Sequence, residues 1–247
     1  MTKGARTAPK SPARESARGR ERRLSADAVI EAALGEIDRH GLETFSLRNV
    51  AKSLNVYPTA VTWHVASRSQ LLAEVAALAM SDIAPPGFPD SWQNYLRQIF
   101  HRFRDMLRRH PNIAPLIGTQ LVANRGVDLD FSERLLAALA HAGFAEMQLV
   151  GAYNTLIAAM VGFTTQEFAP IPEKDTKAWQ KDVRERLRDV GAARYPTLSS
   201  NMKLLANHAF ILRWENGIDA PLDKSFEIFV EVIILGLEAL LAPSHRR

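Results

Sequence analysis

The side chains of this sequence offer little covalent chemistry. There is no cysteine, which excludes thiolate nucleophiles, disulfides and sulfur-bound metals. The seven histidines show no paired metal spacing such as His-Glu-x-x-His, and there is no Gly-rich phosphate loop or Gly-x-Ser-x-Gly elbow. What stands out is a recognition pattern at residues 46–64, Ser-Leu-Arg-Asn-Val-Ala-Lys-Ser-Leu-Asn-Val-Tyr-Pro-Thr-Ala-Val-Thr-Trp-His. It reads as two short helices across a tight turn, the layout of a DNA-reading helix-turn-helix. An ordinary helical hairpin within an all-α domain has the same outline. On the second helix Ala60, Val61 and His64 share one side, which leaves Thr59, Thr62 and Trp63 largely free.

The elements that position this stretch carry local signals. Ser46 suits an N-cap, because its hydroxyl can accept from an orphan amide of the first turn. Leu47, Val50, Ala51 and Leu54 then recur at helical spacing. Asn55 tolerates the left-handed conformation that ends a helix, and Pro58 suits a first helical position. Before them, Leu24–His40 reads as a helix with Ser25 as N-cap, Asp27 at its positive end and Gly41 as its stop. After them, Ser67-Arg68-Ser69-Gln70 is a capping box that opens a helix to about Ile83.

The rest of the chain also reads as helices. Pro85-Pro86-Gly87-Phe88-Pro89 breaks the chain. Trp92, Leu96, Ile99, Phe100, Phe103, Met106 and Leu107 form the apolar side of an amphipathic helix that ends near Pro111. Its other side carries Arg97, His101, Arg104 and Arg108, expected to be a solvated face. Further helices are expected at about Ile113–Ala123, Leu129–His141, Ala145–Phe168, Lys174–Val190 and Leu198–Arg213, and from about Phe226 to the C-terminus. No alternating strand pattern stands out. The chain therefore reads as all-α, a three-helix unit followed by a larger helical remainder. Residues 146–167 carry no charge between their terminal glutamates and are long enough to span a bilayer. However, Gln148, Asn154, Thr155, Thr164, Thr165 and Gln166 lie among them, and no basic flank sets an orientation. The expectation is a buried central helix and no membrane association.

At 247 residues with 47% apolar and 23% charged side chains, the chain can bury one large core or two ordinary ones. The net charge of +4 is unevenly spread. Residues 1–23 hold Lys3, Arg6, Lys10, Arg14, Arg18, Arg20, Arg22 and Arg23 against Glu15 and Glu21, so the remainder is slightly acidic. That arm, rich in Pro, Gly, Ser and Ala, is expected to be disordered. It can contact phosphates or a minor groove, or serve as a solvated tail. The absence of cysteine suits the cytosol.

The order of elements resembles the tetracycline-repressor (TetR) family of transcription regulators. The run Ala60-Val61-Thr62-Trp63-His64-Val65, followed by Arg68 and Leu71-Leu72, is similar to the family's small-Leu-Tyr-x-His-Phe run with its following Lys and Leu-Leu. The Trp-His-Val form resembles the tetracycline-responsive branch, as do Trp92-Gln93 with Leu96-Arg97 and the closing Phe226-Glu227 helix. The resemblance is densest over residues 24–80. Asn55 stands where the family turn has Gly, Thr62 where it has Tyr and Val65 where it has Phe. Leu116-Ile117-Gly118-Thr119 matches a His-Leu-Gly-Thr run without its metal-binding His, so tetracycline–metal binding is not implied.

The resemblance implies a disordered basic arm at 1–23, a helix-turn-helix DNA-binding domain at 24–70 and a helical ligand-binding and dimerisation domain at 71–247. It places Pro58, Thr59, Thr62 and Trp63 against bases, with Tyr57 at the groove edge. The apolar surface of Pro58 and Trp63 suits thymine methyls. Arg48 matches a base-contacting Arg and can pair bidentately with guanine, unless it is spent on a surface salt bridge. Thr44, Ser46, His64 and Arg68 are candidate phosphate contacts, with core packing the alternative for His64. Phe103, Met106, Asn154, Phe163 and Trp179 are candidates for an effector pocket, with ordinary core packing the alternative. Ala145–Phe168 and Phe226–Leu241 would form a homodimer interface. The implied activity is ligand-responsive repression from a palindromic double-stranded DNA operator in the cytoplasm, through a small-molecule effector, with no cofactor, no metal and no catalysis. The rival readings are an all-α enzyme and a helical protein-binding adaptor.

Overall fold

The computed structural model describes residues 24–87, 91–122, 129–172 and 174–242, and the basic arm lies outside them. The described residues are helical, with no strand among them. The N-terminal head consists of α1 (Ala26–His40), α2 (Leu47–Ser53) and α3 (Pro58–Thr62), continued by α4 (Arg68–Met80). The body holds α5 (Trp92–Arg109), α6 (Ala114–Val122), α7 (Leu129–Ala142), α8 (Glu146–Glu167), α9 (Thr176–Arg188), α10 (Pro196–Leu205) and α11 (Asp223–Leu241).

Local chemistry sets the head's boundaries. The Ser25 hydroxyl accepts from the Ala28 amide at 3.1 Å, and Gly41 ends α1 at a φ of 76°. The Ser67 hydroxyl accepts from the Gln70 amide at 3.1 Å, and the Gln70 side chain returns to the Ala66 amide at 3.1 Å. That is the expected capping box, displaced by one residue on its return bond. Helix α4 stops at Met80, short of the expected Ile83, which is nonetheless buried beyond the helix end. The α4 residues Leu71, Leu72, Val75 and Ala76 are buried, and α4 packs on α1 as well as on α5 and α6.

In the body, α8 packs against α5, α6, α7 and α11 and buries Ala152, Leu156, Met160 and Phe163. It alone among the described helices has the length and apolar composition to cross a membrane. Its inner side is spent on this core, and it ends in a buried ion pair.

Two expectations need correction. The basic side of α5 stays partly solvated at Arg97, His101 and Arg108, but it forms a ladder of polar contacts onto neighbouring helices, and Arg104 is withdrawn from water. Arg97 pairs with Glu231 at 2.6 Å, His101 lies 3.6 Å from Glu227, and Arg108 reaches Asp223 at 3.2 Å. Arg104 is buried between Glu167 and Asp223, at 2.6 and 2.8 Å. With Gln93 donating to Glu238 at 2.8 Å, the contacts run antiparallel along α5 and α11. The expected helix over Leu198–Arg213 is also broken. It ends at Leu205, Asn207 turns left-handed at a φ of 62°, and a short 3₁₀ turn follows at Phe210–Leu212. The Asn207 carbonyl oxygen Oδ1 accepts from the amides of Trp214 and Glu215, each at 3.1 Å, which fixes the break.

Candidate nucleic-acid interface

The turn between α2 and α3 is closed by backbone bonds. Ser46 caps α2 by accepting from the Asn49 amide at 3.2 Å. At the other end the Asn55 amide donates to Lys52 O at 3.1 Å, and the Val56 amide donates to Ala51 O at 3.0 Å. This crossed pair needs a left-handed residue at its centre, and Asn55 takes a φ of 56°. Asparagine thus performs the task that glycine performs in the family turn. Val56 then returns the chain to Tyr57, where Pro58 opens α3.

Helix α3 is only five residues long, so the core must hold it. Val61 and Val65 do so, buried with Val50 and Ala51 of α2. His64 does not pack in the core as one reading of its position allowed. The helix ends at Thr62 and His64 is exposed in the following turn, while Val65 takes the inward place. Tyr57 and Trp63 are 83% and 87% exposed, and Pro58, Thr59 and Thr62 are exposed with them. Large aromatic side chains held this far out of a core are unusual in a monomer and mark a contact surface.

The polar members of the set are distributed around this face. Arg48 is exposed and forms no ion pair among the described residues, so the salt-bridge alternative for it is not realised. Thr62 Oγ1 donates to Thr59 O at 2.9 Å, and Thr44 Oγ1 donates to His40 O at 2.7 Å. Arg68 reaches back to the head, with Nε donating to Phe45 O at 3.4 Å and the guanidinium over the Phe45 ring at 5.4 Å. Sequence reasoning passed over Lys52 and read Asn55 only as a turn residue. With Arg48, Tyr57 and Pro58 they line one open groove of about 820 Å³. The signal was available, since Arg48 and Lys52 are four apart and share a helix face.

The five pocket candidates do not come together. Phe103, Met106 and Phe163 are buried. The Phe163 ring stacks on Phe229 at 4.9 Å and meets Phe226 edge-on at 5.4 Å, so core aromatics fill its surroundings. Asn154 is exposed on the outer side of α8, and Trp179 is half-buried on α9, a helix that buries no residue. Met106 reaches a groove of about 420 Å³ lined also by Ala79, Ile83, Arg102 and Arg109. Leu116, which stands where the family's metal-binding His would be, is buried.

Glu167, at the end of α8, is a fully buried charged group. Arg104 Nε and Nη2 donate to its two oxygens at 2.8 and 2.6 Å, and the Leu222 amide donates to Oε1 at 2.9 Å. Burial by itself would push the Arg104 guanidinium down, but its bonds to Glu167 and Asp223 outweigh that and hold it above its ordinary value. Gly217 passes close beside this pair, its amide donating to Glu167 O at 2.6 Å, and a Cβ there would collide with the Glu167 side chain. The cluster ties α5, α8 and the start of α11 together. Its outer member is Asp223, which is largely exposed and also pairs with Arg108.

Comparison with known proteins agrees with this geometry. The family model described as the tetracyclin repressor-like C-terminal domain matches residues 85–241, more than half of the chain. An HTH-type transcriptional regulator of Saccharopolyspora erythraea is 27% identical over 179 residues, covering 72% of this chain and 75% of that protein. The class E tetracycline repressor protein of Escherichia coli is 34% identical over 127 residues, covering 50% of this chain and 59% of the repressor. The crystal structure of BioQ with its double-stranded DNA operator superposes with a TM-score of 0.54 at 28% identity, covering 60% of this chain and 89% of BioQ. From its body through to its exposed helix-turn-helix, this chain belongs to the TetR family of transcription regulators.

Proposed function

We propose that this chain is a homodimeric transcriptional repressor that reads a palindromic operator and is released from it by a small molecule. The observation that carries the reading is the outer face of the head. Tyr57, Pro58, Thr59, Thr62 and Trp63 project from α3 and its cap, beside Arg48 on α2, which forms no ion pair among the described residues. A head at 24–70 would present this face to the major groove. There Arg48 suits a guanine edge, and the ring surfaces suit thymine methyls. Thr44, Ser46, His64, Arg68 and the newly recognised Lys52 would take phosphates, and residues 1–23 would add a basic contact. A related regulator captured on double-stranded operator DNA supports the partner. Related tetracycline repressor proteins support the direction of control.

The body at 71–247 would hold the dimer and the effector. A monomer reads too few bases for strong specificity, and a two-fold dimer reads half-sites about one turn apart or a multiple of it. Met147 and Val150 on α8, and Ile228, Val232 and Leu235 on α11, are exposed apolar side chains suited to a self-complementary interface. The effector would bind in the groove between α4 and α5 lined by Ala79, Ile83, Arg102 and Met106. Such a protein works in the cytoplasm, where its DNA is.

The test is a titration of the dimer with DNA from upstream of its own coding sequence at several salt concentrations. The expected result is a preferred fragment, with affinity falling steeply as salt rises. Equal affinity for every fragment would contradict the regulator reading, and a monomer at micromolar concentration would contradict the dimer.

A further inference from the structure

The head meets the body at α4 and also at a small polar joint. His110 ends α5, and Asn112 lies in the following 3₁₀ turn, Pro111–Ile113. Asn112 Nδ2 donates to Ile37 O at 3.2 Å and to Asp38 O at 3.0 Å. These are last-turn carbonyls of α1, where intrahelical donors run out. The Gly41 amide already serves Ile37 O. For Asp38 O the donor comes from the body. His110 Nδ1 lies 2.8 Å from Asp38 Oδ2. The other oxygen, Asp38 Oδ1, is buried with no hydrogen bond among the described residues.

A half-satisfied, partly buried carboxylate is tolerated only where its one partner is well placed. Displacing the head from the body would break the Asn112 bonds to Ile37 O and Asp38 O and the His110 contact with Asp38 together, so the joint favours one docking angle. Ile37 and Ile113 are fully buried at the same contact between α1 and the 3₁₀ turn. Because α2 packs on α1, and α3 on α2, that angle is passed to the reading face.

We infer that His110 and Asn112, which belong to the body and lie outside the reading face, set the angle of the head and thereby determine which half-site spacing the protein accepts. The inference rests on the dimeric operator-reading proposed above. In a two-fold dimer the angle of each head fixes the separation and phase of the two reading helices. Inserting two base pairs between half-sites turns one half-site by about 70° relative to the other. A rigid joint penalises that turn, and a loosened joint absorbs it. His110 and Asn112 are positioning residues, so their removal changes tolerance of spacing more than it changes base preference.

The experiment titrates wild type and variants with the preferred operator and with versions carrying two base pairs added or removed at the centre. The wild type is expected to lose at least about tenfold in affinity on the altered spacings, within the usual range of coupling between sites. Asn112→Asp keeps the shape but replaces the donor with an acceptor, and His110→Ala removes the Asp38 partner. Both are expected to bring the ratio of affinities close to one, while His110→Asn, which keeps a donor near Nδ1, restores it. Thermal melts and size in solution identify which variants are folded dimers. Either variant is sufficient if the other does not fold. A folded dimeric variant that keeps the wild-type ratio overturns the inference, as does a wild type indifferent to spacing. A wild type that binds no operator, or is a monomer, overturns the regulator reading and this inference with it.

Discussion

Trp63 and Leu71 lie eight positions apart and serve opposite purposes. Trp63 is almost wholly exposed, while Leu71 on α4 is fully buried. Trp63→Ala is expected to change folding stability by less than about 0.5 kcal/mol, as exposed substitutions usually do, while weakening operator binding. Leu71→Ala removes buried methyl groups and is expected to cost about 2–5 kcal/mol of stability, read from denaturant unfolding. Arg48 belongs with Trp63. Arg48→Ala should leave the melting temperature unchanged and weaken specific binding by about 1–3 kcal/mol. Equal losses on operator and on random DNA would reassign it to phosphate. At this scale much was legible, because Ser25, Ser46, Pro58 and Ser67 act on backbone atoms within a turn of themselves. The core alternative for His64 arose because its place depends on where α3 ends, and a five-residue helix is too short to establish a face.

Between elements, the determining features are the turn at Asn55 and the ladder between α5 and α11. Asn55 sits in left-handed backbone, where a β-branched residue is strained. Asn55→Val is expected to lose about 1–2 kcal/mol of stability, and Asn55→Gly none, judged from thermal melts. The ladder makes a pH prediction. The Arg97 hydrogen bonds hold the Glu231 carboxyl below its ordinary value of 4.5. A group lowered in this way contributes stability that is complete above its unfolded value and fades as pH falls toward its folded one. Melting temperature should therefore decline on acidification below about pH 5, and less so in Glu231→Gln than in wild type. Equal declines would mean that other carboxylates carry the acid sensitivity. The buried pair is more demanding. Glu167→Ala leaves Arg104 with only its outer partner Asp223 and the Leu222 amide without its acceptor, and is expected to cost about 3 kcal/mol.

Across the whole molecule, head, body and outer apolar face form one chain of dependence. Exposed Val232 and Leu235 sit on the side of α11 opposite Phe226, Val230 and Ile234, which face the core. A charge placed there leaves the fold of each chain intact but opposes a two-fold partner. Val232→Asp with Leu235→Asp is expected to shift the protein to monomers in sedimentation and to weaken operator binding by at least about tenfold. Monomers that bind the operator as tightly as wild type would show that reading does not depend on dimerisation.

The sequence by itself determined the all-α class, the helix boundaries that rest on caps and breakers, and the recognition run from Ser46 to His64. These are short-range matters, in which a hydroxyl meets an amide three residues on or an apolar stripe repeats every turn. Only the tertiary structure decided what each face was for. Arg97, Arg104 and Arg108 form a wet-looking stripe on an isolated helix, and they became partners of Asp223, Glu231 and Glu167 more than sixty residues away. Asn154 was expected inside and stands outside, because the uncharged α8 has two apolar sides and hydropathy cannot say which of them meets the core. His110 and Asn112 carried no signal, since their acceptors on α1 lie about seventy residues earlier and come within reach only when the body folds against the head.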